Sequence, residues 1–128
     1  MSPIVFRAQV RYGDFDPQRH VSNVQYFRFF EEARAVLYRR AGLPADLGQV
    51  IRRQEIDYFA PIGFDIHEID VVMTALRSGR SSYDLGFVLR SGTHEFARAT
   101  VSMVAVGPDG RPTPIPARLG LELAAASP

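Results

Sequence analysis

The feature that most constrains the fold is a long helical pattern that follows directly after a short β-like segment. At helical spacing, one face of residues 22–41 collects apolar side chains, namely Tyr26, Phe27, Phe30, Ala33, Leu37 and Ala41. The opposite face carries Arg28, Glu32 and Arg39, of which Arg28 and Glu32 have the spacing of a helical ion pair. A helix with so many aromatic residues needs a broad apolar surface to pack on.

Local signals mark both ends of this helix. Ser22 and Gln25 stand three residues apart, as in a capping box, so the helix is expected to begin there. Gly42 and Pro44 follow the last apolar position, which favours an end near Ala41. The sequence therefore predicts one continuous helix of about five turns.

Five β-like segments supply the surface. The first covers residues 6–12, where Phe6, Ala8, Val10 and Tyr12 alternate with polar side chains, as in a half-buried strand. Four more follow the helix, at residues 51–58, 66–76, 82–90 and 96–106, separated by turns rich in Gly and Pro. The order β-α-β-β-β-β predicts an α+β fold in which one antiparallel β-sheet wraps around the long helix. A short helix is also predicted over residues 118–125.

Composition limits the classes of function. A chain of 128 residues is expected to form one domain, residues 1–128, that buries roughly two-thirds of its unfolded surface. A net charge of +1 gives no broad field for nucleic acid or an anionic membrane, and no apolar run reaches transmembrane length. The sequence has no cysteine, which excludes disulfides and thiolate sites, and its three histidines lack the spacing of metal ligands. No metal is therefore expected, and a cytoplasmic location is the default.

The turn between the first strand and the helix carries the clearest functional signal. Asp16 stands shortly before the helix N-terminus, where backbone N–H groups lack helical partners and the helix dipole is positive. A developing oxyanion needs such donors close to a nucleophile or base, so the arrangement points to acyl chemistry. The alternative role for Asp16 is structural, since aspartate often caps a turn.

Several short motifs surround Asp16 and extend beyond it. They are Tyr12-Gly13-Asp14-Phe15-Asp16-Pro17, His20-Val21-Ser22-Asn23, Tyr26-Phe27 and Glu31-Glu32-Ala33-Arg34, with looser matches at Tyr58-Phe59-Ala60-Pro61 and Arg77-Ser78-Gly79-Arg80-Ser81-Ser82. Through these motifs the chain resembles the 4-hydroxybenzoyl-CoA thioesterase-like family of acyl-CoA thioesterases. The resemblance implies a hotdog fold, in which an antiparallel β-sheet wraps around a long central helix. It also implies that two protomers join their sheets and that the active sites lie between them.

The resemblance implies roles for individual residues. Asp16 matches the catalytic carboxylate, acting as nucleophile or as general base on water, and Asn23 matches a position whose backbone N–H faces the thioester carbonyl. His20 matches a histidine that is frequent in the family, and it is expected to support catalysis by orienting the carboxylate or contacting the thioester. The alternative is an ordinary solvated or hydrogen-bonding loop histidine. A further group of four is expected to hold the phosphates of coenzyme A, with a solvated hairpin tip as the alternative for each residue, namely Arg77, Arg80, Ser81 and Ser82. Glu31 is a second candidate carboxylate, although surface pairing on the helix is the simpler interpretation.

Two further segments bear on the site. Tyr58, Phe59 and Pro61 are candidates for an acyl channel, but an aromatic residue at strand spacing is more typical of a core. Phe64 separates Gly63 from Asp65, whereas the family commonly places Gly and Asp side by side. This departure is expected to alter a local turn or the rim of the binding site.

Taken together, these signals predict an acyl-CoA thioesterase that releases a carboxylic acid and free coenzyme A without a metal or redox cofactor. The expected assembly is a homodimer or homotetramer. Two alternatives stay open at this point: a thioesterase acting on acyl carrier protein, and a non-catalytic hotdog domain that binds acyl-CoA. The sequence leaves the size and shape of the acyl group open.

Overall fold

The computed structural model describes residues 2–43 and 47–128 of the chain. Within these residues five strands form a single sheet in the order β1-β3-β4-β5-β2, and every neighbouring pair is antiparallel. The strands are β1 (Ile4–Gln9), β2 (Gly48–Tyr58), β3 (Glu68–Ser78), β4 (Ser82–Ser91) and β5 (His94–Val106). Two helices accompany them, α1 (Asn23–Ala41) and α2 (Ala117–Ala125). The predicted α+β order with an antiparallel sheet is confirmed.

Helix α1 packs its apolar face on the inner face of the sheet. Phe30 stacks on Phe87 of β4 with ring centroids 4.7 Å apart, at the centre of the buried core. The predicted position of Phe27 on this face is wrong, because its ring is exposed and Phe29 is buried instead. Arg34 is buried on the same face, which its charge had not suggested.

The ends of α1 match the prediction, although one of the proposed signals fails. The helix begins after Ser22, but the Ser22 side chain makes no capping hydrogen bond and the Gln25 side chain accepts one from Arg28. The predicted capping box is therefore wrong. Gly42 ends the helix in the left-handed conformation, with its N–H donating to the carbonyls of Tyr38 and Arg39. Pro44, the other proposed stop signal, lies outside the described residues.

The first strand is shifted from its predicted position. It pairs with β3 from Ile4 to Gln9, and the chain then turns through a short 3-10 helix, Tyr12–Asp14. Tyr12 was expected to face the core but is 84% exposed. Val10 lies just beyond β1 but stays buried beside the last β1 to β3 pair, and its N–H donates to the carbonyl of His67. The apolar alternation in the sequence therefore continues past the end of the strand.

The tail after β5 folds back onto the body of the chain. Pro112 bridges to Val106, and the N–H of Ile115 donates to the carbonyl of Arg80. Helix α2 then packs against α1 and β3 and buries Leu119 and Leu123. Neither α1 nor α2, the two α-helices of the described chain, is long and apolar enough to cross a membrane.

Candidate active site

The segment before Asp16 is held by a buried carboxylate. Asp14 is 5% exposed, and its Oδ2 accepts hydrogen bonds from the N–H of Arg11 and from Nη2 of Arg28, each 2.7 Å long. Arg28 also pairs with Glu32 at 2.9 Å, as the helical spacing predicted. The carbonyl of Asp14 accepts the N–H of Ser22 at 2.8 Å, which fixes the start of α1 beside this turn.

Asp16 itself lies in a tight hairpin that is closed by an isolated antiparallel bridge between Phe15 and Val21. Its N–H donates to the carbonyl of His20, and its carbonyl accepts the N–H of Arg19, both at 2.9 Å. Its carboxylate Oδ1 accepts the N–H groups of Gln18 and His20 at 2.9 and 3.2 Å. No side chain or backbone group of the described residues donates to Oδ2. One oxygen of Asp16 thus holds the turn, and the other is available for chemistry.

Arg19 occupies an unusual backbone position in this hairpin. Its φ is +64°, in the left-handed region, and it is the sole non-glycine residue with positive φ in the described chain. The hydrogen bonds correspond to a type I turn followed by a left-handed bulge residue, a position that favours glycine. A side chain in that conformation costs about 1 kcal/mol. The Arg19 guanidinium stacks over the ring of Phe64, 4.9 Å from its centroid.

A cavity of about 370 Å³ opens where this hairpin meets the start of α1. It is called the helix cavity below, and its lining consists of Asp16, His20, Val21, Asn23, Tyr26 and the segment from Tyr58 to Pro61. Asn23 is the first residue of α1, so its N–H lacks a partner inside the helix. The structure therefore brings the carboxylate of Asp16 and the positive end of the helix to one cavity, as predicted from the sequence.

Aromatic residues form the opposite wall of the helix cavity. Tyr26 stacks edge-on against Tyr58, with ring centroids 5.0 Å apart. Burial raises the pKa of Tyr26 to about 12, with a further rise from Tyr58 and an opposing effect from a backbone hydrogen bond at Ile62. Tyr26 is therefore neutral at physiological pH. Tyr58 and Phe59 are 50% and 57% exposed, so the interpretation of these residues as core is wrong.

His20 and Glu31 are placed differently from each other. His20 lines the helix cavity and reaches Asp16 through its backbone N–H, and no hydrogen bond of its imidazole is found within the described residues. Glu31 is exposed on α1 and does not line the helix cavity. Among the described residues, Asp16 is thus the carboxylate residue that lines the helix cavity.

The four residues proposed to hold phosphates lie at the opposite end of the sheet. Arg77 is the last residue but one of β3 and donates to Asp84 and to the Ser82 hydroxyl, each at 3.0 Å. The hydrogen bond from Arg77 lowers the pKa of Asp84. Arg80 is exposed in the β3 to β4 turn, with Ser81 beside it. The 11 residues of β3 separate this turn from the Asp16 end by roughly 35 Å. Within one protomer the two groups do not meet.

Comparisons with known proteins place the chain in a family. A family model described as the thioesterase-like superfamily matches residues 10–123. The chain belongs to the thioesterase-like superfamily. Hydrolysis of thioesters is the activity that this membership supports, and the narrower 4-hydroxybenzoyl-CoA group stays a prediction. A comparison with curated protein sequences finds none that matches this superfamily member.

Solved structures agree on the fold. A protein of Pseudomonas aeruginosa strain PAO1 is 30% identical, with a TM-score of 0.90 over 97% of this thioesterase-like chain and 91% of its own. A 1,4-dihydroxy-2-naphthoyl-CoA thioesterase from Synechocystis is 18% identical, with a TM-score of 0.83 over 96% of each chain. The predicted hotdog fold is confirmed by these likenesses. The roles of Asp16, Asn23 and His20 stay predictions for this superfamily member.

Proposed function

We propose that this protein is an acyl-CoA thioesterase in which Asp16 is the catalytic carboxylate. The observation that carries the proposal is the shared cavity of Asp16 and Asn23, which combines a carboxylate with the N-terminus of α1. A thioester carbonyl bound there meets an attacking or activating group on its carbon and an N–H donor on its oxygen. Membership of the thioesterase-like superfamily supports the same reaction class.

The proposed reaction has two possible routes that differ at the first bond formed. As nucleophile, Asp16 Oδ2 attacks the carbonyl carbon, the C–S bond breaks, and water then cleaves the acyl-aspartyl anhydride. As general base, Asp16 takes a proton from water while the water oxygen attacks the same carbon. In both routes the N–H of Asn23 stabilises the oxyanion, and the thiolate leaves without a strong acid because a thiol is a much stronger acid than an alcohol or an amine.

The test of the proposal is the substitution Asp16→Asn. The Asn side chain keeps an oxygen that accepts from Gln18 and His20, so the hairpin is expected to survive while the negative charge is lost. We expect kcat/KM for acyl-CoA hydrolysis, measured by released thiol, to fall by more than about 100-fold. Asp109→Asn is the matched control, because Asp109 Oδ1 also accepts a backbone N–H two residues on and lies in an exposed turn.

Two outcomes would contradict this assignment. Unchanged hydrolysis in Asp16→Asn would move the catalytic role elsewhere, with Glu31 as the next carboxylate to test. Absence of hydrolysis by the native chain across short, branched, aromatic and long acyl-CoA substrates, with binding retained, would favour the non-catalytic acyl-CoA-binding alternative.

The proposal includes a homodimer formed along β2. This strand is an edge of the sheet, spans 11 residues and exposes Val50 and Ile51. Val50 pairs with Val104, which pairs with Ser82, so one end of β2 lies in register with the β3 to β4 turn. Tyr58, at the other end, lines the helix cavity. Antiparallel pairing of two β2 edges would bring Arg77 and Arg80 of one protomer to the end where the other carries Asp16.

The turn that carries Arg77 and Arg80 bears on whether the acyl group is carried by coenzyme A or by acyl carrier protein. If Arg77 and Arg80 receive the phosphates of coenzyme A, acyl-CoA should be the preferred substrate over the same acyl group on acyl carrier protein. Competition between these two thioesters, read by mass spectrometry of the released carriers, distinguishes the two enzymes. The cytoplasmic location expected from the sequence remains a prediction.

A further inference from the structure

Asp16 lies between two cavities. The second cavity has a volume of about 390 Å³ and is called the turn cavity below. Its lining consists of Tyr12, Phe15, Asp16, Pro17, Arg19 and Phe64, and Asp16 is the one residue that it shares with the helix cavity. The carbonyl carbon of a thioester carries two substituents, the acyl chain and the thiol arm. A carbonyl held at Asp16 therefore has one cavity available for each substituent.

Three of the six residues that line the turn cavity are aromatic, namely Tyr12, Phe15 and Phe64. Phe64 lies 5.0 Å from Phe15 and 6.1 Å from Tyr12 between ring centroids. The arm of coenzyme A contains two amide groups that need hydrogen-bond partners, and the helix cavity, although also partly aromatic, offers His20 and Asn23 as partners. The acyl chain suits the turn cavity better, because hydrocarbon groups lose nothing by leaving water there.

Arg19 adds one positive charge to this apolar wall. Its guanidinium lies over the face of Phe64, and a stacked guanidinium keeps its N–H groups free in its own plane. No carboxylate of the described residues forms an ion pair with Arg19. Arg19 also stands at a backbone position that favours glycine. The backbone of the turn therefore does not favour an arginine there, whereas a ligand with a planar anionic group would gain a bidentate partner from it.

We propose that the turn cavity receives the acyl group and that Arg19, held by Phe64, selects acyl groups that end in a carboxylate. This inference rests on the proposed thioesterase function. The distal carboxylate would accept two N–H groups of the guanidinium while the thioester carbonyl lies at Asp16. Arg19 and Phe64 are then specificity-determining residues. The inserted Phe64 has a function in this interpretation, since it is the platform that orients the cation.

The test compares two acyl groups of equal chain length, glutaryl-CoA and pentanoyl-CoA. The native protein is expected to prefer glutaryl-CoA by at least about tenfold in kcat/KM. In Arg19→Gln this preference should fall by about tenfold, mainly through a higher KM for glutaryl-CoA, because the contact is remote from the reacting carbon. Phe64→Leu should reduce the preference in the same direction. Arg39→Gln, an exposed arginine in the last turn of α1, is the matched control and should leave it unchanged.

Two results would overturn the inference. The first is equal hydrolysis of both substrates by the native protein. The second is an equal loss for both substrates in Arg19→Gln. Thioesters of N-acetylcysteamine, which lack phosphates, then separate the two other roles of Arg19: a loss that persists assigns Arg19 to the turn, and a loss that disappears assigns it to the phosphates of the carrier.

Binding separates this inference from the proposed function. Calorimetry with the Asp16→Asn variant measures the affinity for glutaryl-CoA and pentanoyl-CoA without turnover. If the native protein hydrolyses no acyl-CoA, the thioesterase proposal fails, but tighter binding of glutaryl-CoA still supports the role of Arg19. Equal affinities for glutaryl-CoA and pentanoyl-CoA would overturn the role of Arg19 in selecting the acyl group, whether or not the native protein is a thioesterase.

Discussion

At the scale of single residues, the two roles considered for Asp16 turn out to be compatible. Oδ1 accepts two backbone N–H groups and holds the hairpin, while Oδ2 receives no hydrogen bond from the described residues. A side chain fixed through one oxygen loses little further freedom when the other reacts. Capping the turn is therefore a way of positioning the carboxylate, and the same geometry explains why Asn is the informative replacement.

The second residue on which the site depends is Arg28. Its guanidinium neutralises the buried Asp14, so Arg28→Gln leaves a carboxylate that is 5% exposed without its cation. We expect this change to lower the free energy of unfolding by about 2 kcal/mol. Glu32→Gln removes the more exposed partner of the same arginine and should cost no more than about 0.5 kcal/mol. Urea denaturation of both variants measures the difference, and equal losses would show that Asp14 tolerates its isolation.

The sequence could predict that Asp16 and Asn23 lie close together because both belong to one short segment, where local spacing sets their positions. Residues that reach the site through long-range folding were harder to assign. Tyr58 and Phe59 lie beside Asp16 only because the chain after β2 crosses the start of α1, where Val21 donates to Ile62. A lone arginine in a turn is not a functional signal in a sequence. The role proposed for Arg19 depends on its φ of +64° and on its contact with the ring of Phe64, which only the structure shows.

At the scale of elements, the length of α1 was predictable and its exact face was not. The ends follow from local chemistry, since Gly42 adopts a left-handed conformation that few other residues accept. The face depends on where the sheet curves around the helix. Phe29 turns toward the core and Phe27 turns away, although both are aromatic and only two positions apart. Strand positions were likewise right in order and shifted by a few residues at β1 and β2.

Two glycines in helical contexts should respond oppositely to alanine. Gly42 has φ +60°, so Gly42→Ala is expected to lower the free energy of unfolding by about 1 kcal/mol through backbone strain. A Cβ there also meets Arg118 Nη1 at 2.9 Å, but that atom ends a flexible side chain that can move. Gly120 lies inside α2 with open space around it, so Gly120→Ala should raise stability by about 0.5–1 kcal/mol. Thermal unfolding of the pair gives the sign directly, and equal signs would contradict this account of Gly42.

At the scale of the whole molecule, the composition makes the titration of the tyrosine side chains easy to measure. The chain contains no lysine and no cysteine, so tyrosine is the side chain that titrates between about pH 9 and 11. Burial raises the pKa of Tyr26 to about 12, and burial also raises the pKa of Tyr38 and Tyr83. The hydroxyls of Tyr38 in α1 and Tyr83 in β4 share a hydrogen bond of 2.8 Å.

This titration predicts a loss of stability at high pH. The folded state holds these tyrosines neutral, whereas the unfolded chain releases their protons near the ordinary pKa of 10.0. Their contribution is therefore complete below pH 10 and is lost as pH rises toward the folded pKa values, by up to about 1.4 kcal/mol per pH unit for each tyrosine. Urea midpoints from pH 8 to 11.5 test this. Tyr83→Phe should make the fall of the urea midpoint with pH less steep, whereas Tyr12→Phe, at an exposed position, should not. A urea midpoint that does not change with pH would contradict the burial of these hydroxyls.

The two edges of the sheet differ in a way that bears on assembly. β1 is a six-residue edge, whereas β2 is an eleven-residue edge that presents Val50 and Ile51 next to a bulge. If two copies pair along β2, Val50→Glu puts a charge at an apolar position of that edge and should yield monomers in sedimentation velocity. It should also abolish hydrolysis, because each Asp16 would lose the basic turn of its partner. Val5→Glu is the matched control on the other edge, since Val5 is 51% exposed and Val50 46%. A Val50→Glu protein that stays dimeric would place the interface elsewhere, and a monomer with full activity would show that one protomer holds the complete site.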